Sequence, residues 1–324
     1  MTRQKADSGQ GEHERPRRIG NEEETRTAKP FSDPSQISDP GPRGFQLHGA
    51  LGLGPGDNLD ELTSNTENQL KERGIEIKRR VDRGGYGVVY QARNLQTGAD
   101  LAVKVLLNRQ SKVAMATFQR EWKVLSSRSL PGISGEQPRV APEFYFGDDR
   151  QPAQPYLALE WIDGQNLERW IESHPGLSIP KRLYLCERIF ATYAQLHASN
   201  LLHRDVSLRN IMIQGSRVRL IDFGSACRKQ TGYMSQQSLS QVPVTPATAS
   251  ERMMSQATRG TVADEVHAIA KCCFFVLTNQ LAHKVGPQHW RECLLQAKVP
   301  RRLVDMTILP RMAEPNCQES TGIL

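Results

Sequence analysis

The fold is decided by the stretch His203-Arg204-Asp205-Val206-Ser207-Leu208-Arg209-Asn210, which leads into Ile211-Met212-Ile213 and, after the turn Gln214-Gly215-Ser216, into Val218-Arg219-Leu220-Ile221-Asp222-Phe223-Gly224. The apolar runs on either side of the turn predict two short strands. A carboxylate and an amide, Asp205 and Asn210, come before the first strand, and a second carboxylate, Asp222, follows the second one. This layout is typical of phosphoryl transfer, where one carboxylate orients the nucleophile and another holds magnesium with an amide oxygen.

Further upstream, a glycine-rich turn lies between two predicted strands, in Asp82-Arg83-Gly84-Gly85-Tyr86-Gly87. Because glycine has no Cβ, backbone N–H groups in such a turn can approach phosphate oxygens, although many glycine clusters are ordinary turns. The next strand places Lys104 among apolar residues, and a buried ammonium needs an anion. Glu121, beside the apolar stripe of the following helix, is the predicted partner, with an exposed lysine and an exposed glutamate as the alternative.

The order of predicted elements divides the chain into three parts. Residues 1–70 are rich in Gly, Pro, Ser, Glu and Arg and lack any strand or helix period, which predicts a disordered N-terminal tail. Residues 71–162 contain three strands joined by short turns, a helix capped by Ser111 and two more strands. Residues 163–324 have mainly helical spacing, apart from the two short strands described above. We therefore expect an α+β fold with a small antiparallel-sheet lobe containing one helix and a larger, mainly helical lobe.

Composition excludes several classes of protein. The 324 residues carry a formal charge of +7, but the basic residues are scattered, so we expect no nucleic-acid partner. The longest apolar run, residues 268–278, is interrupted by Lys271 and is shorter than the roughly 20 residues of a membrane span. The charged N-terminus lacks a secretory signal core. Six cysteines without a CxxC pair predict reduced thiols and a cytoplasmic location. Nothing in the sequence indicates an oligomeric state.

Taken together, these motifs resemble the eukaryotic-like (Hanks-type) protein kinase family over roughly residues 75–312. The resemblance implies a bilobal fold with ATP and Mg²⁺ as cofactors. By matching position it implies catalytic roles for Asp205 as the catalytic aspartate, Lys104 as the phosphate-contacting lysine and Glu121 as its ion-pair partner. Asn210 and Asp222 are similar to the family's metal ligands.

The resemblance also implies a nucleotide pocket. Tyr156-Leu157-Ala158-Leu159-Glu160-Trp161-Ile162 is similar to the last strand of the small lobe and the hinge, with Leu159 as gatekeeper and the backbone of Glu160 and Ile162 contacting adenine. The remaining residues implied for nucleotide binding are Gly84, Gly85, Gly87, Val89, Ala102 and Lys104. Asp264 is similar to the aspartate that holds the catalytic-loop backbone, and a simple helix cap is the alternative.

The chain departs from the family pattern at several positions. Asp82 replaces the first glycine of the glycine-rich turn. Ser207 replaces a lysine that steadies the transferring phosphate, and Arg209, two residues on, is the predicted substitute for that cation. Ser250 stands where proline usually precedes the glutamate at position 251. We also expect the large lobe to lack the family's final helix and the arginine that pairs with Glu251.

The segment between Gly224 and Glu251 resembles an activation segment. Arg204 precedes the catalytic aspartate, as in kinases that are regulated by loop phosphorylation, and a phosphate could pair with Arg204 or Arg228. The alternative is a flexible loop rich in Ser and Thr. The candidate acceptors for autophosphorylation are Thr231, Tyr233, Ser235, Ser238, Ser240, Thr245 and Thr248.

The leading prediction is a kinase that transfers the γ-phosphoryl group of ATP to Ser or Thr hydroxyls of protein substrates. A pseudokinase that binds partners is a second hypothesis, supported by Ser207, Ser250 and the short C-terminus, although its usual mark is loss of the lysine or of an aspartate. A small-molecule kinase of the wider kinase-like fold is the third. Arg204 and the segment from Thr245 to Glu251 argue against that third hypothesis.

Overall fold

The computed structural model describes residues 62–84, 87–107, 111–127, 143–145, 153–229, 245–255 and 260–315. In these ranges the chain forms a five-stranded antiparallel sheet with two helices, followed by a mainly helical part with two small sheets. This confirms the predicted α+β class. No helix in the described ranges combines the length and apolarity needed to cross a membrane.

The small lobe is built on the antiparallel sheet, whose strand order is β1-β2-β3-β5-β4. Its strands are β1 (Ile75–Arg83), β2 (Gly87–Asn94), β3 (Asp100–Leu106), β4 (Glu143–Tyr145) and β5 (Tyr156–Glu160). Side chains alternate between the two faces of the sheet, so each strand contributes to two different environments. One face is a closed apolar core that consists mainly of Val88, Tyr90, Ala92, Leu101, Val103, Val105, Tyr156 and Ala158.

A helix that the sequence did not predict covers this core. Helix α1 (Ser64–Glu72) is capped by Thr63, and its residue Leu70 is fully buried against the sheet core. The prediction of a disordered tail is therefore wrong for residues 62–70, and the small lobe has two helices instead of one. Leu70 and Leu62 are buried against the sheet and stabilise the helix. The polar composition of the segment gave no indication of these two contacts. Residues 1–61 lie outside the described residues.

The second helix of the small lobe lies on the opposite face of the sheet. Helix α2 (Lys112–Leu125) begins at the predicted cap, because the Ser111 hydroxyl accepts the Ala114 N–H at 3.2 Å. Phe118 is buried against Leu157 of the sheet. This packing fixes the height of α2 above β3 and so decides which residues of the helix reach the space between the lobes.

The large lobe is organised around two long helices, α4 and α6. Its helices are α3 (Leu167–Ser173), α4 (Ile179–Ala198), α5 (Glu251–Met254), α6 (Val262–Thr278), α7 (Ala282–Val285), α8 (Pro287–Gln296), α9 (Arg301–Leu303) and α10 (Leu309–Met312), with a π-helical turn at Val304–Ile308. Helix α4 contains the apolar spacing seen between Leu183 and His197, and α6 is buried along most of its length. The predicted absence of a final helix stays a prediction, since residues 316–324 lie outside the described residues.

Two short antiparallel sheets of the large lobe carry the motifs quoted first. One has the order β6-β8-β9 and the other pairs β10 with β7. Their strands are β6 (Gln165–Asn166), β7 (Leu201–Leu202), β8 (Ile211–Gln214), β9 (Arg217–Leu220) and β10 (Cys227–Arg228). The predicted pair of strands is thus confirmed, and it places the loop before β8 next to the loop after β9.

Candidate active site

A lysine in the small lobe contacts carboxylates from two different elements. Lys104 Nζ lies 2.8 Å from Glu121 Oε2 on α2 and 2.9 Å from Asp222 Oδ1 in the loop after β9. The Glu121 side chain is 2% exposed and the Lys104 side chain 16%, whereas Asp222 is 44% exposed. The predicted Lys104–Glu121 pair is therefore present, and Asp222 extends it across the space between the lobes.

Burial disfavours the charged form of each of these groups, and their neighbours decide the outcome. At Lys104 the two carboxylates outweigh burial, so the pKa of the ammonium lies above its ordinary value. At Asp222 burial is outweighed by the Lys104 ammonium, and the pKa of the carboxyl lies below its usual range. Burial raises the pKa of the Glu121 carboxyl, although Lys104 opposes that shift. The three groups form one interdependent cluster around a single cation.

Helix α2 can approach the loop after β9 because Gly224 has no side chain. A Cβ at Gly224 would lie 2.4 Å from Thr117 Cγ2 on α2, which is closer than real Cβ contacts allow. Arg120, next to Glu121, donates from its guanidinium to the Gly224 carbonyl oxygen at 2.6 Å. A glycine immediately after Phe223 is therefore a packing requirement that brings Glu121 within reach of Lys104.

A second cluster surrounds Asp205 in the loop before β8. The Asn210 amide nitrogen donates to Asp205 Oδ2 and to the Asp205 carbonyl oxygen, both at 2.9 Å. Thr245 Oγ1 donates to Asp205 Oδ1 at 2.6 Å from a segment forty residues further along the chain. Both carboxylate oxygens of Asp205 thus accept a hydrogen bond, which fixes the orientation of the carboxylate.

Two residues of the site have unusual backbone conformations. Arg204 and Asp222 have φ angles of 66° and 62°, in the left-handed region that residues other than glycine rarely occupy. The buried His203 connects their two loops, because its Nε2 lies 3.0 Å from the Ile221 carbonyl oxygen and its ring packs on Phe223. Such backbone strain persists where surrounding contacts determine the conformation. The strained conformations of Arg204 and Asp222 therefore set the directions in which the loops before β8 and after β9 present their side chains.

The backbone of the loop before β8 is held by a residue that was not predicted from the sequence. Glu265 Oε1 accepts the Arg204 N–H at 2.6 Å, and Glu265 Oε2 lies 2.6 Å from the buried His197 Nε2. Asp264, to which the resemblance assigned this role, instead forms a capping box with Thr261 at the start of α6. The assignment of Asp264 to the loop backbone is wrong, and the alternative of a helix cap is correct.

Comparison with known proteins identifies the family. The family model described as protein kinase domain matches residues 75–293. The chain belongs to the Hanks-type protein kinase family. It is 27% identical over 249 residues to the probable serine/threonine-protein kinase PknB of Lactococcus lactis, covering 72% of this chain and 38% of the relative.

Two further relatives extend the comparison. The chain is 30% identical to a probable receptor-like serine/threonine-protein kinase of Arabidopsis thaliana, over 55% of this chain and 39% of the relative. It is 26% identical to the serine/threonine-protein kinase PknK of Mycobacterium bovis, over 69% of this chain and 19% of the relative. The matched part of the chain therefore spans less than two fifths of the length of each of these kinases.

The residues predicted to form the kinase nucleotide pocket share one face of the small-lobe sheet. Val89 pairs with Lys104 across β2 and β3, and Ala102 pairs with Leu159 across β3 and β5. Directly paired residues project on the same side, so all four line the face toward α2 and the interlobe space. The side chain of the hinge residue Glu160 is paired with Arg219 Nη2 at 2.9 Å, and the adenine contact of the Glu160 backbone stays a prediction.

The glycine-rich turn is described at its two ends. The Gly84 N–H donates to the Gly87 carbonyl at 2.8 Å, and a Cβ at Gly87 would meet the Val105 carbonyl oxygen at 2.4 Å. Gly87 is therefore required by packing against β3, whatever else it binds. Asp82, the departure from the glycine pattern, accepts the Arg83 N–H at 2.8 Å. Gly85 lies outside the described residues, and Ile162 is partly exposed after β5.

The two departures in the catalytic loop have different environments. Ser207 is buried, and its hydroxyl accepts the Asn210 N–H at 3.3 Å, so it stabilises the turn that presents Asn210. The Arg209 side chain is 80% exposed, and its Nε lies 3.7 Å from Glu168 Oε2. The structure thus pairs Arg209 with Glu168 and not with Asp205, and the predicted role of Arg209 as a substitute for the kinase lysine stays a prediction.

Two of the predicted phosphate acceptors already have other partners. Thr245 donates to Asp205, and the buried Thr248 donates to the Val206 carbonyl oxygen. A phosphate on Thr245 would bring negative charge against the Asp205 carboxylate. Thr245 is therefore poorly suited as an activating site. The other candidate acceptors, Thr231, Tyr233, Ser235, Ser238 and Ser240, lie outside the described residues.

Proposed function

We propose that the chain is an ATP- and Mg²⁺-dependent protein kinase that transfers the γ-phosphoryl group to Ser or Thr hydroxyls of protein substrates. The observation that carries this proposal is the position of Lys104 between Glu121 and Asp222, at 2.8 and 2.9 Å. A cation held between a buried helix carboxylate and a partly exposed carboxylate of the other lobe has the geometry that a polyphosphate with its metal requires.

The donor groups fit a nucleotide with magnesium. Asp222 is ionised because Lys104 lowers the pKa of its carboxyl. The Asn210 amide donates through its nitrogen to Asp205, an orientation that turns the amide oxygen away from that carboxylate. Oxygen ligands from one carboxylate and one amide match the preference of Mg²⁺, which retains several waters. When bound, ATP would supply the phosphoryl group, and magnesium would neutralise charge on the phosphates.

Each residue of the site would have a separate role in phosphoryl transfer. Lys104 binds phosphate oxygens in place of one of its present carboxylate contacts, while Glu121 keeps the ammonium in position. Asp205 accepts a hydrogen bond from the substrate hydroxyl and orients its oxygen for attack. Thr245 and Asn210 hold the Asp205 carboxylate in that orientation. Asp222 and Asn210 would hold the metal.

Protein Ser and Thr hydroxyls are the proposed acceptors because the relatives that cover most of this chain carry the name serine/threonine-protein kinase. The contact from Thr245 to Asp205 supports the same class, since it belongs to the segment that distinguishes the protein kinase pattern from small-molecule kinases. Autophosphorylation in residues 231–240 and a cytoplasmic location remain part of this proposal.

The test is incubation of the full chain with labelled ATP, Mg²⁺ and a generic acceptor protein, followed by mapping of the phosphorylated residues. We expect label on Ser and Thr, and none when magnesium is chelated. A thermal-shift titration with ATP, with and without Mg²⁺, runs in parallel. Nucleotide binding without any transfer would contradict the enzymatic proposal and favour the pseudokinase hypothesis.

A further inference from the structure

The segment that presents Thr245 to the catalytic aspartate is anchored in an unusual way. In the described part of the chain, no arginine is paired with the Glu251 carboxylate, the contact expected from the family pattern. The segment 245–251 nevertheless lies close enough to the catalytic loop for the Thr245 hydroxyl to bond Asp205 at 2.6 Å. Some other contact must hold the end of this segment in place.

The strongest such contact is a buried hydrogen bond between Ser250 and Asp264. Ser250 Oγ donates to Asp264 Oδ1 at 2.6 Å, and both residues are 0% exposed. The other oxygen of Asp264 accepts the Thr261 N–H at 2.7 Å and the Thr261 hydroxyl at 2.8 Å. Because a buried carboxylate is costly unless its oxygens accept hydrogen bonds, the Ser250 hydroxyl stabilises Asp264 in its buried position.

The residues on either side of Ser250 also contact helix α6 or the segment after α10, although through weaker hydrogen bonds. Lys271 Nζ donates to the Ala249 carbonyl oxygen at 3.3 Å, and the Glu251 N–H donates to Glu314 Oε2 at 3.1 Å. Three consecutive residues are thus attached to helix α6 or to the segment after α10. The most buried and shortest of these three contacts belongs to Ser250.

The same short segment carries both threonines that touch the catalytic loop. Thr245 donates to Asp205, and Thr248 donates to the Val206 carbonyl oxygen. Only one residue separates Thr248 from Ser250, so a shift at Ser250 moves the threonine contacts as well. The anchor at Ser250 and the contact of Thr245 with the catalytic carboxylate are therefore separated by only four residues of backbone.

We propose that Ser250 is a positioning residue, whose hydroxyl acts through Asp264 to fix Thr245 and Thr248 against the catalytic loop. The serine that replaces proline before Glu251 is then a substitution with a function, because proline has no hydroxyl to satisfy Asp264. The catalytic consequence rests on the proposed kinase activity, whereas the anchoring itself does not.

The test uses the full chain with Ser250→Ala, Ser250→Thr and the control Thr63→Ala. Thr63 caps helix α1, so its loss removes a helix cap, as the loss of Ser250 does at α5. We expect Ser250→Ala to lower kcat about tenfold with the KM for ATP within about twofold of wild type, and Ser250→Thr to restore kcat. We also expect faster amide hydrogen exchange across residues 245–255 in Ser250→Ala alone.

Wild-type kcat together with wild-type exchange at residues 245–255 in Ser250→Ala would overturn the proposal, and so would an equal loss of kcat in Thr63→Ala. If Ser250→Ala does not fold, Ser250→Cys keeps the shape with a weaker donor, and the same two readouts apply. Hydrogen exchange requires no turnover. An inactive wild-type protein would therefore contradict the proposed function while the exchange data still decide the anchoring.

Discussion

The two halves of the site are held together by different interactions. On the small-lobe side, Lys104, Glu121 and Asp222 form ion pairs, one of them almost fully buried. On the large-lobe side, Asp205 is held by neutral donors, the Asn210 amide and the Thr245 hydroxyl. Removing one partner from a buried ion pair leaves an uncompensated charge, whereas removing a neutral donor costs one hydrogen bond. Substitutions in the Lys104 cluster should therefore lower both activity and stability, whereas substitutions around Asp205 should lower mainly activity.

The largest effect on catalysis is expected from Asp205→Asn. The asparagine amide keeps one oxygen for the Thr245 hydroxyl but loses the acceptor for the Asn210 amide, and it is not basic, so phosphoryl transfer should fall about a thousandfold. Because Asp205 takes part in no ion pair among the described residues, the loss of stability should be limited to that one hydrogen bond, and Tm should fall by about 4 °C or less. Transfer assays with labelled ATP and thermal melts of both proteins measure this. Retention of transfer would remove Asp205 from the catalytic role.

Lys104→Met should reduce both activity and stability. Loss of the phosphate-binding cation is expected to lower transfer about a hundredfold. The variant also leaves Glu121 buried without a cation, which should cost about 3 kcal/mol in the free energy of unfolding. Denaturant melts of Lys104→Met and Asp205→Asn side by side test the comparison. An equal loss of stability in both variants would show that the two halves of the site do not differ as described.

The stability lost in Lys104→Met should depend on pH. Burial raises the pKa of Glu121 in the folded protein, and the variant removes the ammonium that opposes this shift. A group with a raised folded pKa contributes stability below its unfolded pKa, about 4.3 for glutamate, and loses it as pH rises through the folded value. The deficit relative to wild type should therefore widen from about pH 4 upward. Unfolding free energies that stay parallel between pH 4 and pH 8 would contradict this.

Thr245→Val should lower kcat about tenfold, because the variant keeps the shape of the side chain but removes one donor to Asp205. Thr245→Glu, which adds a carboxylate next to Asp205, should lose more than Thr245→Val. Comparison of the two variants in a transfer assay is the measurement. An activated Thr245→Glu protein would instead support Thr245 as an activating phosphorylation site.

Much of the fold could be predicted because its motifs are local. The strand pattern around Lys104, the cap at Ser111 and the helical spacing between Leu183 and His197 each depend on neighbouring residues, and the structure confirms all three elements. Helix α1 escaped prediction because only one buried leucine, Leu70, marks its apolar side. Burial of that leucine depends on a sheet that the segment does not itself encode.

The site contacts that could not be predicted are those between distant segments. Asp264 and Glu265 are both acids in the first turn of α6, and a step of one residue rotates a side chain by about 100° around the helix. Local sequence does not specify which of the two faces Arg204. The bond between Thr245 and Asp205 likewise joins residues forty positions apart, at the end of a segment without a periodic pattern. The spacing of the motifs predicted which types of residue contact one another in the site. The packing of distant segments determined which individual residues make those contacts.

The smallest effect is expected at a second ion pair between the lobes, on the hinge side. Arg219 on β9 contacts both carboxylate oxygens of Glu160 at the end of β5, and the two side chains are 13% and 14% exposed. Unlike Lys104, this pair contacts neither the Asp205 nor the Asp222 carboxylate. It holds the strand whose backbone is proposed to contact adenine, so its loss should affect nucleotide binding more than chemistry.

Arg219→Met should therefore raise the KM for ATP about threefold, while kcat stays within about twofold of wild type. Arg217→Met, two residues away on the same strand and exposed, is the matched control and should leave both constants unchanged. A double-mutant cycle with Glu160→Gln isolates the pair, and we expect a coupling energy of about 1 kcal/mol. If kcat fell instead of KM rising, the hinge pair would act on the chemistry as the Lys104 cluster does. Any ion pair between the lobes would then support catalysis, whether it lies on the hinge side or next to Asp222.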